Sequence, residues 1–141
     1  MIRYEFFDDG KLLIIKYIGN ISKKSLISFF KFLVEEKDVS SLKVVLADYR
    51  DAKDTYAISN VFEIVEARKN FTTGLGEIQT IFLVSNPKNT AISLMYSDYL
   101  KGYSNVNIFS TIAATRNYLS MNVTNHELER MLDNPKFEYS K

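Results

Sequence analysis

Two short runs in the chain are too continuously apolar to face water on either side, and they constrain the fold most. Lys43 to Tyr49 (Lys-Val-Val-Leu-Ala-Asp-Tyr) and Ile78 to Val84 lack the polar alternation of a half-exposed strand, which marks strands buried on both faces. Such strands need helices above and below, and the flanking sequence supplies them. Ser22 caps a helix reaching Lys37. Tyr56 to about Lys69 carries Ile58, Val61, Phe62 and Val65 at i, i+3, i+4, i+7. Asn86-Pro87 starts a helix with Asn as cap and Pro at the first position; it runs to about Lys101 and closes at Gly102. At the front, residues 2–7 and Leu12 to Ile18 flank Asp8-Asp9-Gly10-Lys11, an Asp-Gly turn that predicts an antiparallel hairpin. Val106 to Phe109 reads as a last strand, Ser110 caps a helix through about Met121, and Thr124 to Asp133 as a small terminal helix, with 134–141 a frayed tail. The order β-β-α-β-α-β-α-β-α predicts one α/β domain over 1–121. Its sheet is mixed and mostly parallel, of about five strands with an N-terminal antiparallel hairpin and four to five helices; 122–141 adds a short helix and flexible tail.

Composition removes whole classes of chemistry. The 141 residues include no Cys and one His, and the net charge is +1. Thiolate catalysis, disulfides and cysteine-ligated zinc are excluded, and the balanced charge argues against a nucleic-acid partner. The longest apolar runs are four residues, such as Leu12 to Ile15 and Ile81 to Val84, against the roughly 20 needed to span a bilayer, so no membrane insertion is expected and the cytoplasm is the expected compartment. No cofactor motif is present. Gly74-Leu75-Gly76 lacks the third glycine of a dinucleotide fingerprint, since position 79 is Gln79, and it precedes a strand instead of following one. His126-Glu127 has no second His at i+4, so no metal site is expected.

In open α/β sheets, ligands bind beyond the C-terminal ends of the parallel strands. Two such ends here are polar. Asp48, Arg50, Asp51 and Asp54 crowd the stretch read as the loop after the central strand. Asp48 and Asp51 make a carboxylate pair and Arg50 a clamp for an anionic group, or Arg50 braces its acidic neighbours while Asp54 or Thr55 caps the next helix. Ser85 to Lys88 puts a hydroxyl, an amide and an ammonium at a helix start, either an anion site or simply a cap. A phosphorylated receiver domain also ends its central strand in Asp, but needs an acidic pair after its first parallel strand. Here Asp8-Asp9 sit in the hairpin turn at the opposite polarity. Tyr96, Tyr99 and Tyr103 with Met95 either belong to the core or line an apolar pocket. The helix from Ser22 has an apolar arc wider than one stripe, so Phe29 and Phe32 either pack a neighbour or rim a self-association surface.

Three phrases, Asp9-Gly10-Lys11-Leu12-Leu13-Ile14-Ile15, Leu46-Ala47-Asp48-Tyr49-Arg50-Asp51-Ala52 and Ile81-Phe82-Leu83-Val84-Ser85, together with the element order, make residues 1 to about 121 resemble STAS-like domains. These form the sulfate transporter and anti-sigma factor antagonist superfamily, and the likeness is to its small stand-alone bacterial branch. The resemblance implies a non-enzymatic regulatory module that works by binding a protein partner. Antagonist members carry an Asp-Ser-Ser/Thr-Gly phrase with a phosphorylatable Ser; here Asp54-Thr55-Tyr56-Ala57 keeps only Asp54 and Thr55. The expected function is therefore a STAS-like interaction module, with Asp48, Arg50, Asp51, Asp54, Thr55, Ser85 and Lys88 as the partner or ligand surface, no catalytic residues and no cofactor. A homodimer is expected, with Phe29 and Phe32 as one candidate surface for it. The alternative is a carrier or sensor of a small apolar or anionic ligand.

Overall fold

A computed structural model describes residues 1–119 and 121–140. Its strands are β1 (Ile2–Phe7), β2 (Leu12–Ile21), β3 (Val44–Asp54), β4 (Ile78–Leu83), β5 (Ser104–Phe109) and β6 (Phe137–Tyr139). Its helices are α1 (Lys23–Glu36), α2 (Val61–Thr72), α3 (Pro87–Tyr99), α4 (Ile112–Leu119) and α5 (Asn125–Asp133), with a 3-10 turn over Ile58–Asn60. They build one six-stranded sheet in the order β5-β4-β3-β2-β1-β6. β2, β3, β4 and β5 run parallel, and β1 joins β2 as the expected hairpin. Its turn holds Asp8, Asp9 and Gly10 all at positive φ, which Asp tolerates better than most residues and Gly tolerates freely.

Alternation along the central strands assigns the two faces. Leu13, Ile15 and Tyr17 of β2, Val45, Ala47 and Tyr49 of β3, and Phe82 of β4 point into the larger core, shared with Leu26, Phe29 and Leu33 of α1, Ile64 of α2 and Ile92 of α3. Leu12, Ile14, Leu46, Ile81 and Leu83 point to the other face, where Leu128 and Leu132 of α5 close a smaller core. Burial on both faces is why the runs read as continuously apolar.

Two expectations about the ends change. The helix expected to reach Met121 is described to Leu119, and Ser120 lies outside the described residues, as does Lys141 of the expected tail. The rest of that tail is not frayed. Phe137–Tyr139 forms β6, antiparallel to β1, with Tyr4 opposite Phe137 and Ile2 opposite Tyr139. The aromatic side chains hold it there: Phe137 stacks on Tyr4 at 5.7 Å, and Tyr139 packs on Phe29 and Phe32 at 5.2 and 5.1 Å. The same contacts involve both residues of the expected self-association rim. Phe29 is fully buried, and Phe32 lies against Tyr139 instead of standing free.

Because Leu132 of α5 is fully buried in the smaller core, Leu132→Ala is expected to lower stability by about 2–5 kcal/mol. Urea unfolding of the variant and the wild-type chain measures this directly.

Candidate functional site

The stretch expected as a loop after the central strand is strand. β3 runs through Asp54 because its second half pairs with β2 alone: Asp51 to Asp54 lie opposite Ile18 to Ile21, beyond the last pairing with β4 at Asp48. Polar residues fit a strand whose outer edge is open. Thr55 extends the ribbon, its amide and hydroxyl both donating to the Ile21 carbonyl at 2.9 and 3.1 Å. Neither Asp54 nor Thr55 caps a helix, since the 3-10 turn begins at Ile58 after Ala57.

A bulge decides which side chains meet. Lys16 pairs with Asp48 and Ile18 with Asp51, so β3 carries one more residue than β2 at this point. In regular alternation Asp48 and Arg50 share a face and Asp51 takes the opposite one. The extra residue swings Asp51 back beside Asp48. The result is an ion cluster on the α5 face. Asp48, fully buried, accepts from Arg50 Nε at 3.0 Å and Nη2 at 2.8 Å, and also from the Arg50 amide at 3.1 Å. The Arg50 Nη1 reaches Glu129 of α5 at 3.3 Å. Lys16, a residue 6% exposed, places its ammonium 4.0 Å from Asp48, 3.2 Å from Asp51 and 3.9 Å from Asp133 of α5. The hydrogen bonds to Asp48 hold the Arg50 pKa above its ordinary value, against the opposing effect of burial.

Asp54 faces the other way, into the larger core with Ala52 and Ile21. Neither of its carboxylate oxygens has a hydrogen-bond partner. Burial raises its pKa, opposed by the Tyr56 hydroxyl and the Lys88 ammonium. The expected cluster is thus two sites on opposite faces of one strand. Ser85 and Lys88 tie the neighbouring strand end to this ribbon: Ser85 donates to the Arg50 carbonyl at 3.1 Å and Lys88 to the Asp54 carbonyl at 2.7 Å. Asn86 caps α3, accepting from the Asn89 amide at 2.9 Å. Of the aromatic residues offered for a pocket, Tyr96 is buried, while Tyr99 and Tyr103 are exposed.

The sequence pattern alone did not bring in Lys16, Glu129 or Asp133. A signal for Lys16 exists, a lone cation at the period-2 position of Leu12 and Ile14 in an otherwise apolar strand. Among the described residues no group of three or more acidic or His side chains is placed to hold a metal ion, and no helix is long and apolar enough to cross a membrane.

Chemically, the α5-face cluster is a brace. The Asp48 carboxylate is held at both oxygens by one guanidinium and flanked by an ammonium, and the two cations in turn reach Glu129 and Asp133 of α5. What remains open at this end of the sheet is the connection from β3 to α2, where Thr55, Ala57, Ile58 and Ser59 are exposed around the single buried side chain of Tyr56. Phe62, the second residue of α2, is half exposed and meets Tyr99 edge-on at 5.5 Å.

No family model matches the chain, and no curated protein matches it. Solved structures do. The anti-sigma factor antagonist SpoIIAA in its unphosphorylated form superposes with a TM-score of 0.53 at 9% identity, over 85% of this chain and 98% of that one. An uncharacterized DUF3478-family protein with a SpoIIAA-like fold, from Shewanella loihica PV-4, gives a TM-score of 0.54 at 12% identity, over 84% and 92% of the two chains. The chain has the STAS-like, SpoIIAA-like fold that its sequence phrases implied.

Asp48→Asn leaves Lys16 and Arg50 short of a buried counter-charge and is expected to cost about 3–5 kcal/mol. Glu129→Gln, at a side chain 40% exposed, is expected to cost under about 1 kcal/mol; chemical denaturation of both variants separates the two. Asp54 behaves oppositely. Its folded-state pKa lies above the ordinary 3.8, so its contribution is whole below that value and is lost as pH rises through the folded pKa. Asp54→Asn is therefore expected to gain stability relative to wild type between pH 3 and pH 7, and a gain that is constant over this range contradicts the burial assigned to Asp54.

Proposed function

We propose that the chain is a non-catalytic regulatory module that captures a protein partner through the connection between β3 and α2. The observation that carries this reading is the division of labour at the end of β3. Asp48 and Arg50 pair with each other within the fold and Asp51, itself exposed, pairs with the buried Lys16, while Thr55, Ile58 and Phe62 stand exposed on one short connection and helix start. An apolar pair rimmed by hydroxyls and by the Lys23–Glu63 ion pair at 2.9 Å suits a transient protein interface. The likeness to an anti-sigma factor antagonist supports the class of function, and Thr55, which with Asp54 echoes the start of the antagonists' Asp-Ser-Ser/Thr-Gly phrase, is exposed on the same surface. In this reading Asp54, Ser85 and Lys88 hold the connection in place and do not themselves bind.

Affinity capture with the wild-type chain and with Ile58→Ser, Phe62→Ser and Leu94→Ser tests the surface. Leu94 is an equally exposed apolar residue elsewhere on α3. Partners retained by wild type and Leu94→Ser but depleted at least about tenfold by Phe62→Ser and Ile58→Ser support the proposal, the size of loss typical of an interface hot spot. Equal depletion by all three, or by none, overturns it.

A further inference from the structure

The sheet ends in two outer strands of different character. β6, at one end, is three residues long, carries the exposed Glu138 at its middle and follows Lys136. Shortness and charge blunt an edge against further pairing. The flank of β3 beyond its last pairing with β4 is closed as well, since the carbonyls of Tyr49, Arg50 and Asp54 accept from Asn89, Ser85 and Lys88 around the start of α3. β5, at the other end, has neither protection. Ser104-Asn105-Val106-Asn107-Ile108-Phe109 contains no charge and no Pro, and its register against β4 runs without a bulge.

The outward groups of β5 follow from one bond. The Phe109 carbonyl turns to β4, accepting from the Val84 amide at 2.9 Å, and the backbone groups of successive strand residues point to alternate sides. Asn105, Asn107 and Phe109 therefore bond β4. Val106 and Ile108 each direct an amide and a carbonyl away from the sheet, and among the described residues no other backbone group takes these up. The Ser104 amide is already used by the Leu100 carbonyl at 3.0 Å. Side chains alternate too. Val106 and Ile108 lie toward the larger core, and Asn107 lies toward α4, donating to the Tyr118 hydroxyl at 2.7 Å.

An open row of donors and acceptors is completed by another strand, and β5 is complementary to itself. Two copies related by a two-fold axis at Asn107 run antiparallel, with Val106 of one opposite Ile108 of the other. Each outward amide of these residues then meets an outward carbonyl. On the larger-core face the β-branched pair meets across the join, and on the α4 face Asn107 meets its own copy, with no like charges opposed along the strands. The arrangement is also closed. It uses both unprotected edges, so the joined sheet ends in the short, charged β6 on either side.

We propose that β5 is the self-association edge of this chain, pairing antiparallel with β5 of a second copy about an axis at Asn107. This edge lies at the opposite end of the sheet from β6, where Tyr139 covers Phe29 and Phe32. The proposal does not depend on the partner surface between β3 and α2.

Sedimentation equilibrium over about 1 μM to 1 mM protein tests it, with the wild-type chain, Asn107→Lys, Asn107→Asp and an equimolar mixture of the two variants, each checked for folding by circular dichroism. The wild-type chain is expected to dimerise. Each variant alone is expected to dimerise at least about tenfold more weakly, because like charges meet on the axis, and the mixture to regain the dimer, because Lys then faces Asp. Loss of the bond to Tyr118 alone gives no such rescue. A wild-type chain that stays monomeric throughout, leaving β5 to a strand of another protein, overturns the proposal. So does a dimer that both variants keep, or a mixture that associates no better than its components. Should the charged variants not fold, Asn107→Cys decides, since the chain has no other Cys. Disulfide dimers that form faster from Asn107→Cys than from Glu138→Cys on the opposite edge support the pairing, and equal or slower formation overturns it.

Discussion

A single buried carboxylate organises the second half of this molecule. Asp48 sits at the middle of the sheet, at the last position where β3 still pairs with β4, and it has no exposure to water. An ionised group in that position requires positive partners. Arg50, two residues on, supplies a two-pronged one, and Lys16, its cross-strand neighbour, supplies another. Each of those cations is then long enough to reach a carboxylate of α5, Glu129 from Arg50 and Asp133 from Lys16. The leucines of α5 bury apolar area on the sheet, but leucines alone set little about the angle at which a helix lies. The ion pairs add two polar contacts at defined points between helix and sheet.

The bulge between β2 and β3 makes this cluster possible and also empties the opposite face of it. In unbroken alternation Asp51 would face the larger core and Asp54 the α5 side; the extra residue exchanges them. With it, three charged side chains of β3 gather on the α5 side and Asp54 alone enters the tyrosine-lined core on the other. The strand thereby separates a braced, inward-turned face from the exposed connection that follows it. A loop of free carboxylates and a strand of spent ones have the same sequence and opposite functional meanings.

The hairpin, the parallel order and the helix starts at Ser22 and Asn86 were legible because each rests on local chemistry: a turn residue, a cap, a period. Both caps accept the amide bond expected of them, from Ser25 and Asn89. The end of β3 was not legible, because a polar run reads as loop until the partner strand that pairs with it is known. The bulge is likewise a property of two strands, and neither sequence alone records it. β6 escaped notice because three residues are too few to show alternation, and its order comes from Tyr4, Phe29 and Phe32, more than a hundred residues away in the chain.

The central claim is that the charged end of β3 is an internal brace for α5. Amide hydrogen exchange compared between the wild-type chain and Asp48→Asn tests it most directly. The account predicts faster exchange across Asn125–Asp133 and at residues 50–52, with the amides of α1, α2 and α3 on the opposite face little changed. Exchange accelerated evenly over the whole molecule, or unchanged in α5, would contradict it.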